Sequence, residues 1–180
     1  RLGSKSLRLA SESINLSDAS QARALLQFVM KVAFVFEAIG AALLALVFVP
    51  QFGADGIFIS VFISISSFCN AGFDILGRVM PGGSVIPYQR NPYVLAVLSL
   101  LIISGGLGFL VWQDLSAYHR THHLRTHTKL VLWITGWLLL LGTAGILFME
   151  YNNPLTLGPM NLFDKITNAA FQSVSARTAG

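Results

Sequence analysis

Three long stretches of the chain are almost entirely apolar, and polar or charged residues lie at both ends of each. They cover residues 28–49, 91–113 and 130–149. An α-helix of about 20 residues rises about 30 Å, which matches the hydrocarbon core of a bilayer. The pattern therefore predicts three membrane-spanning helices.

Two shorter apolar segments, residues 56–68 and 161–175, lie after the first and third long stretches. They are too short to cross a bilayer as helices. Each runs directly into a turn of small residues that contains glycine, at 69–73 and 177–180. We expect re-entrant pore helices followed by extended turns, which are tolerated at membrane depth only next to protein or a wet cavity. A surface helix ended by an ordinary glycine cap is the alternative.

Polar residues and prolines mark where these helices should begin and end. Pro50 is expected to close the first span, and Pro92 suits the first turn of the second. Asp55 and Asn161 stand where N-caps of the two short helices are expected.

The two short segments belong to an internal repeat. An offset of 108 residues superposes three pairs of small residues, namely Gly72 on Gly180, Ser67 on Ser175, and Ala71 on Ala179. Both copies show the same order of span, outer loop, short helix and glycine turn, and this shared order is stronger than the few identities.

The composition favours a bilayer as the solvent. The chain has 180 residues, of which 54% are hydrophobic and only 11% charged, whereas soluble domains are about 25% charged. We therefore expect an all-α membrane protein. A net charge of +4 could indicate nucleic-acid binding, but the basic residues flank apolar stretches and form no single patch, so no nucleic-acid partner is expected. The single cysteine excludes a disulfide or a four-cysteine metal site within the chain.

The distribution of basic residues predicts the orientation. Most of the 12 Lys and Arg residues lie in two polar connectors, 1–27 and 114–129, or beside them. The positive-inside rule places these connectors in the cytoplasm and both pore loops on the outer side. The two copies would then be parallel repeats around an axis along the membrane normal. The sequence begins at Arg1 and ends inside the second turn, so both ends are expected to be cuts in a longer chain.

Two charged residues lie close to the predicted pore. Glu37 lies deep in the first span, and an acid at that depth is a functional candidate by default, or supports the pore loop by hydrogen bonding. Arg177 precedes the second turn and is expected to point away from the cation path toward an acidic residue, or to be a solvated surface side chain.

Four histidines and three glycines stand out elsewhere. The histidines of the second connector could bind zinc, although a basic face for anionic lipid or a cytosolic regulator is preferred; they are His119, His122, His123 and His127. Gly105, Gly106 and Gly108 allow close helix packing within the second span. They form no nucleotide fingerprint, because no strand precedes them.

Several motifs resemble the Ktr/Trk/HKT superfamily of potassium transporters, and most of all its bacterial Ktr-type membrane subunit. They are Phe68–Phe73, Arg177–Gly180, Val49–Gly53, Ser104–Phe109, Glu150–Pro154 and Thr156–Gly158. That family has four helix–pore loop–helix repeats. The resemblance implies that residues 28–113 are the second repeat and residues 130–180 are the first part of the third. Cys69 stands where many relatives carry asparagine.

The resemblance implies potassium transport through a filter of backbone carbonyls, with sodium dependence left open. The expected filter residues are Asn70, Ala71, Gly72, Phe73, Thr178, Ala179 and Gly180, with Cys69, Arg177 and Glu37 as support. Carbonyl rings replace the water shell of the ion, and glycine permits the necessary backbone angles. The resemblance also implies a homodimer, a cytosolic nucleotide-binding regulatory subunit, the cell (inner) membrane, and no bound cofactor or enzymatic activity.

Other classes of function stay open at this point. A secondary transporter could bind another small solute at broken helices, although that class commonly has inverted repeats. An intramembrane enzyme would need more ionisable residues inside the spans than Glu37. A non-conducting interaction module is the remaining alternative.

Overall fold

A computed structural model describes residues 19–79 and 84–178, which form helices, short 3-10 turns and loops without strands. The chain divides into two units, residues 1–35 and 36–180. The α-helices are α1 (Ala19–Phe52), α2 (Ala54–Phe68), α3 (Pro92–Gly106), α4 (Phe109–Thr121), α5 (Thr126–Glu150) and α6 (Leu162–Arg177). The 3-10 turns are Leu76–Arg78 and Ile86–Tyr88. The prediction of an all-helical protein is confirmed for the described residues.

Two of the described helices are long and apolar enough to cross a membrane, over Arg23–Phe52 and Thr126–Glu150. They contain the predicted spans 28–49 and 130–149. The predicted end of the first span at Pro50 is wrong, because α1 continues to Phe52 with the proline inside its last turn. The N–H of Gly53 closes that turn on the carbonyl of Val49 at 2.8 Å, so the missing proline N–H does not end the helix there.

The predicted span 91–113 is not one continuous helix, and that prediction is wrong. The chain bends by 94° between α3 and α4. The described residues contain a third span if this bent pair of helices forms one crossing. Gly108 precedes α4 with φ of 85°, a backbone conformation that glycine adopts readily and other residues resist. The apolar pattern alone could not show this break, since it continues through it.

The predicted N-cap is found for the second short helix, α6, but not for the first, α2. Asn161 caps α6, because its side chain accepts a hydrogen bond from the N–H of Asp164 at 2.8 Å. Asp55 is not the cap of α2: Gly53 holds that position and Asp55 lies in the first turn. Its carboxylate there faces the partly positive end of the helix.

Within residues 36–180, α3 packs against both short helices, α2 and α6, while α5 packs against α6 and α4. The buried apolar side chains of α3 include Val94, Leu98 and Leu101. This arrangement places the C-terminal ends of α2 and α6 near the C-terminal end of α3.

Large apolar side chains lie exposed on the long helices. Leu46 and Trp133 are each 68% exposed, and Phe148 is 88% exposed. A water-soluble protein rarely leaves so much apolar surface uncovered. Together with the length of the two long helices, this surface indicates a membrane protein.

Candidate functional site: the turns that follow the two short helices

The C-terminal end of α2 turns sharply at Asn70. This residue has φ of 53°, in the left-handed region. The N–H groups of Cys69 and Ala71 donate to the carbonyls of Ile65 and Ser66, both at 2.9 Å. Such hydrogen bonds are typical of a helix C-cap that contains a residue in the left-handed conformation. The partly negative end of the helix dipole therefore lies at the turn.

The predicted filter 69–73 continues as exposed, non-helical chain. Gly72 also has a positive φ, of 70°, so two left-handed residues stand two positions apart. The hydroxyl of Ser66 donates to the carbonyl of Phe73 at 2.7 Å, so this carbonyl ties the turn to the helix. Asp74, which the sequence reasoning did not single out, accepts from the N–H of Leu76 at 2.7 Å.

Glu37 lies beside the first turn. Its carboxylate is 3.6 Å from the thiol of Cys69, which donates to it. Its backbone carbonyl accepts from the hydroxyl of Ser64 at 2.8 Å. The structure thus brings together two of the three residues that were expected to support the filter, and that role stays a prediction.

The side chain of Asn70 connects the first turn to α3 and to the second turn. With its amide oriented to satisfy its neighbours, its nitrogen donates to the carbonyl of Ile102 and to the hydroxyl of Thr178. Its oxygen accepts from the N–H of Gly106, and all three distances are 3.2 Å. The sequence reasoning treated Asn70 only as a source of a backbone carbonyl. Nothing in the local pattern could reveal contacts with residues so distant in sequence.

The second turn is described only at its start. Thr178 is exposed, and its N–H donates to the carbonyl of Ser175 at 3.2 Å. Ala179 and Gly180, which complete the predicted filter 177–180, lie outside the described residues.

Arg177 lies against the end of α3. A Cβ at Gly106 would be 3.4 Å from one of its guanidinium nitrogens. Its Nη1 is buried and has no hydrogen-bond partner among residues 19–79 and 84–178. The expected acidic partner is therefore not found in the described part of the chain. Asp114, far from this site in sequence, forms an ion pair with Arg125 at 3.7 Å.

A cavity of about 90 Å³ is lined by residues of α2, the first turn, α3 and α6. Ser67, Gly72 and Asp74 line it from the first copy, and Phe171 and Ser175 line it from the second. Ser67 and Ser175 are the pair matched by the offset of 108 residues. Equivalent residues of the two copies therefore face the same space.

The two copies also share a packing arrangement that the sequence reasoning missed. In each, a serine on the short helix donates to a backbone carbonyl of the long helix, at 2.8 Å in the first copy and 3.2 Å in the second. A glycine three residues after that carbonyl faces the same serine. The members are Gly40, Ser64 and Glu37 in the first copy, and Gly142, Ser173 and Leu139 in the second. A glycine at this place lets the two helices approach closely.

The four histidines of the second connector are exposed. Within the described ranges, no three His, Cys, Asp or Glu side chains gather as they would to hold a metal ion. The structure thus gives no support to the alternative of a zinc site at His119, His122, His123 and His127.

Comparison with known proteins identifies the family. The sequence profile of TrkH, described as a cation transport protein, matches residues 2–180. The chain is 43% identical over 170 residues to the potassium/sodium uptake protein NtpJ of Enterococcus hirae, covering 94% of this chain and 36% of that protein. It is 38% identical over 183 residues to the Ktr system potassium uptake protein B of Vibrio alginolyticus, covering 100% of this chain and 39% of that protein.

A third relative is the Ktr system potassium uptake protein B of Bacillus subtilis, 34% identical over 181 residues, covering 100% of this chain and 40% of that protein. The chain thus spans between 36% and 40% of the length of these curated relatives. The family match covers nearly the whole chain, and the predicted resemblance is confirmed. The chain belongs to the TrkH family of cation transport proteins.

Proposed function

We propose that the chain forms part of a path for potassium across the cell membrane. The observation that carries the proposal is one cavity that is lined by the first turn and by equivalent serines of the two short helices. The relatives are named for potassium uptake, and one of them for potassium and sodium uptake. Sodium as a second transported or activating ion is part of the proposal.

The backbone of residues 70–72 and 178–180 would supply the carbonyl oxygens that replace the water shell of the ion. The positive φ angles of Asn70 and Gly72 support this assignment, because they hold the chain out of the helix while the dipole of α2 still ends at the turn. The carbonyl of Phe73 accepts from Ser66, so Phe73 holds the turn in shape. Two turns would provide two corners of a fourfold ring.

Arg177 would take its missing partner from a part of the protein outside the described residues. A buried guanidinium N–H without an acceptor is unfavourable by about 1–3 kcal/mol, and Nη1 of Arg177 is in that state among the described residues. A carboxylate or a backbone carbonyl beside the pore would satisfy it and hold the second turn in place.

We also propose that connectors 1–27 and 114–129 lie in the cytoplasm and the turns face the outer side of the cell (inner) membrane, by the positive-inside rule. The protein would work as a homodimer with a cytosolic nucleotide-binding subunit. Cysteines introduced at His127 and at Asn152 test the orientation. A membrane-impermeant maleimide should label only the second in intact cells, in a background where Cys69 is serine, and the reverse pattern would invert the proposal.

The central experiment measures ion uptake by the complete gene product in cells that lack potassium uptake. The unsubstituted protein should restore potassium uptake, and Gly72→Ser should lower the preference for potassium over sodium. Gly77→Ser is the matched control, because Gly77 is exposed, has no neighbour within 4 Å of an added Cβ, and does not have a positive φ. If potassium uptake is not restored, or if Gly72→Ser keeps the ion preference while folded protein is present, the filter assignment is wrong.

A further inference from the structure

Trp112 lies at the bend between α3 and α4 and makes two separate kinds of contact. Its indole N–H donates to the carbonyl of Ser104 at 2.8 Å, across the bend. Its ring lies against the ring of Phe36, with centroids 4.6 Å apart. The hydrogen bond acts on the bend, whereas the ring contact leads away from it toward α1.

Phe36 continues this contact to the end of the first short helix. Its ring stacks on Phe68 with centroids 5.6 Å apart and planes at 15°. Phe68 is only 3% exposed and is the last residue of α2, directly before the predicted filter. The next residue of α1, Glu37, contacts Cys69. Three rings therefore connect the bend to the start of the first turn.

We propose that Trp112 is a positioning residue for the first filter turn, acting through Phe36 on Phe68. The proposal rests on the proposed function and deepens it by assigning ion preference partly to an aromatic contact outside the filter. Stacked rings in a packed interior have few alternative arrangements. Loss of one ring lets the end of α2 shift, and with it the carbonyls of residues 70–72.

The two kinds of contact can be separated by substitution. Trp112→Phe keeps a ring against Phe36 and removes the indole N–H, whereas Trp112→Leu and Phe36→Leu both break the ring contact. We expect both leucine variants to change the ratio of KM for potassium to KM for sodium by roughly two- to tenfold, as expected for loss of an aromatic pair. Trp112→Phe should keep that ratio within about twofold and change mainly the maximal rate, since it affects the bend alone.

The measurement uses the complete gene product in transport-deficient cells, with the amount of folded protein determined from detergent extracts. Trp133→Leu is the control, because it removes an exposed tryptophan of α5 whose ring stacks on Trp137 of the same helix, and it should leave the ratio unchanged. If the leucine variants lower only the amount of folded protein or the maximal rate, with the ratio unchanged, Trp112 and Phe36 are merely structural and the proposal is overturned.

Gly72→Ser, measured alongside, separates the two proposals. If Gly72→Ser changes the ratio and the leucine variants do not, the filter assignment stands and the positioning role fails. If Gly72→Ser leaves the ratio unchanged in folded protein, the filter assignment fails, and the positioning role fails with it.

Discussion

Gly105 lies where α3 comes closest to the end of the first short helix. An ideal Cβ at this position would be 2.8 Å from the carbonyl carbon of Phe68 and nearer still to its oxygen. Both atoms are backbone, so no side-chain rotation can relieve the overlap. The perturbation to test is therefore Gly105→Ala, the smallest side chain that fills this space.

The magnitude follows from two opposing terms. Restoring ordinary contact with the carbonyl carbon requires a shift of at least about 0.6 Å, and overpacking of this kind costs typically about 1–3 kcal/mol. Alanine in a helix is favoured over glycine by about 1 kcal/mol. Gly136, in α5, has no neighbour among the described residues within 4 Å of an added Cβ. Gly136→Ala should therefore gain the helix-propensity stabilisation without any cost of overpacking. The two variants should therefore differ in stability by about 1–3 kcal/mol.

The assay is the thermal inactivation of the purified complete protein in detergent, with potassium uptake measured in parallel. Gly105→Ala should inactivate at a lower temperature than the unsubstituted protein, and its ion preference should change because the carbonyl of Phe68 precedes the filter turn. Gly136→Ala should be as stable as the unsubstituted protein or more so. Equal behaviour of the two variants would refute the close approach of α3 to the end of α2.

Three further substitutions test other parts of the site. Ser66→Ala removes the hydrogen bond to the carbonyl of Phe73, so uptake assays should show weaker discrimination against sodium, and thermal scans should show a loss of about 1 kcal/mol of stability. The control Ser116→Ala removes an exposed hydrogen bond within α4 and should leave the discrimination unchanged. Asn161→Ala removes the N-cap of α6 and should lower stability by about 1 kcal/mol. The control is Asn152→Ala, at an exposed position; equal inactivation temperatures of the two variants would contradict the cap. Asp114→Asn weakens the contact of Asp114 with the N–H and guanidinium of Arg125, so proteolysis of the α4–α5 connector should become faster; an unchanged rate would show that this contact does not hold the connector.

The long and short helices could be predicted from the sequence because burial in a bilayer leaves a local signal. Residues 130–149 and 161–175 are apolar or periodically apolar, and Asn161 is a recognisable cap. The bend after α3 left no such signal, because Gly105, Gly106 and Gly108 lie inside an uninterrupted apolar stretch. Glycine is common in membrane helices that pack closely, so its presence alone cannot distinguish a straight helix from a broken one.

The backbone of the first turn could be predicted, and its side-chain contacts could not. Gly72 indicated a backbone requirement at 69–73, and the structure shows a positive φ there; the second turn stays a prediction. The contact of Asn70 with Thr178 joins residues more than 100 positions apart in sequence, and the serine–glycine pairs join long helices to short ones. Such contacts depend on the packed structure, and a single sequence carries no record of them.

The bend between α3 and α4 frees backbone groups at the end of α3, and a side chain satisfies one of them. An unsatisfied backbone group inside a bilayer is unfavourable by several kcal/mol. The helix α3 stays regular through Gly106, and the amide of Asn70 lies against its last turn, where it contacts the carbonyl of Ile102 and the N–H of Gly106. The bend at Leu107 and Gly108 leaves the carbonyl of Ser104 without its helical partner, and the indole N–H of Trp112 donates to it.

The end of α3 and the bend are linked to the two turns through Asn70 and Trp112. Asn70 belongs to the first turn and reaches the second, while Trp112 reaches the first turn through Phe36. It follows that the last turn of α3 and the first filter turn are coupled through Asn70, because a shift of either would break the contacts of Asn70 with Ile102 and Gly106. A substitution at Gly105 should accordingly change stability and ion preference together, whereas one at Gly136 should change neither the bend nor the turns.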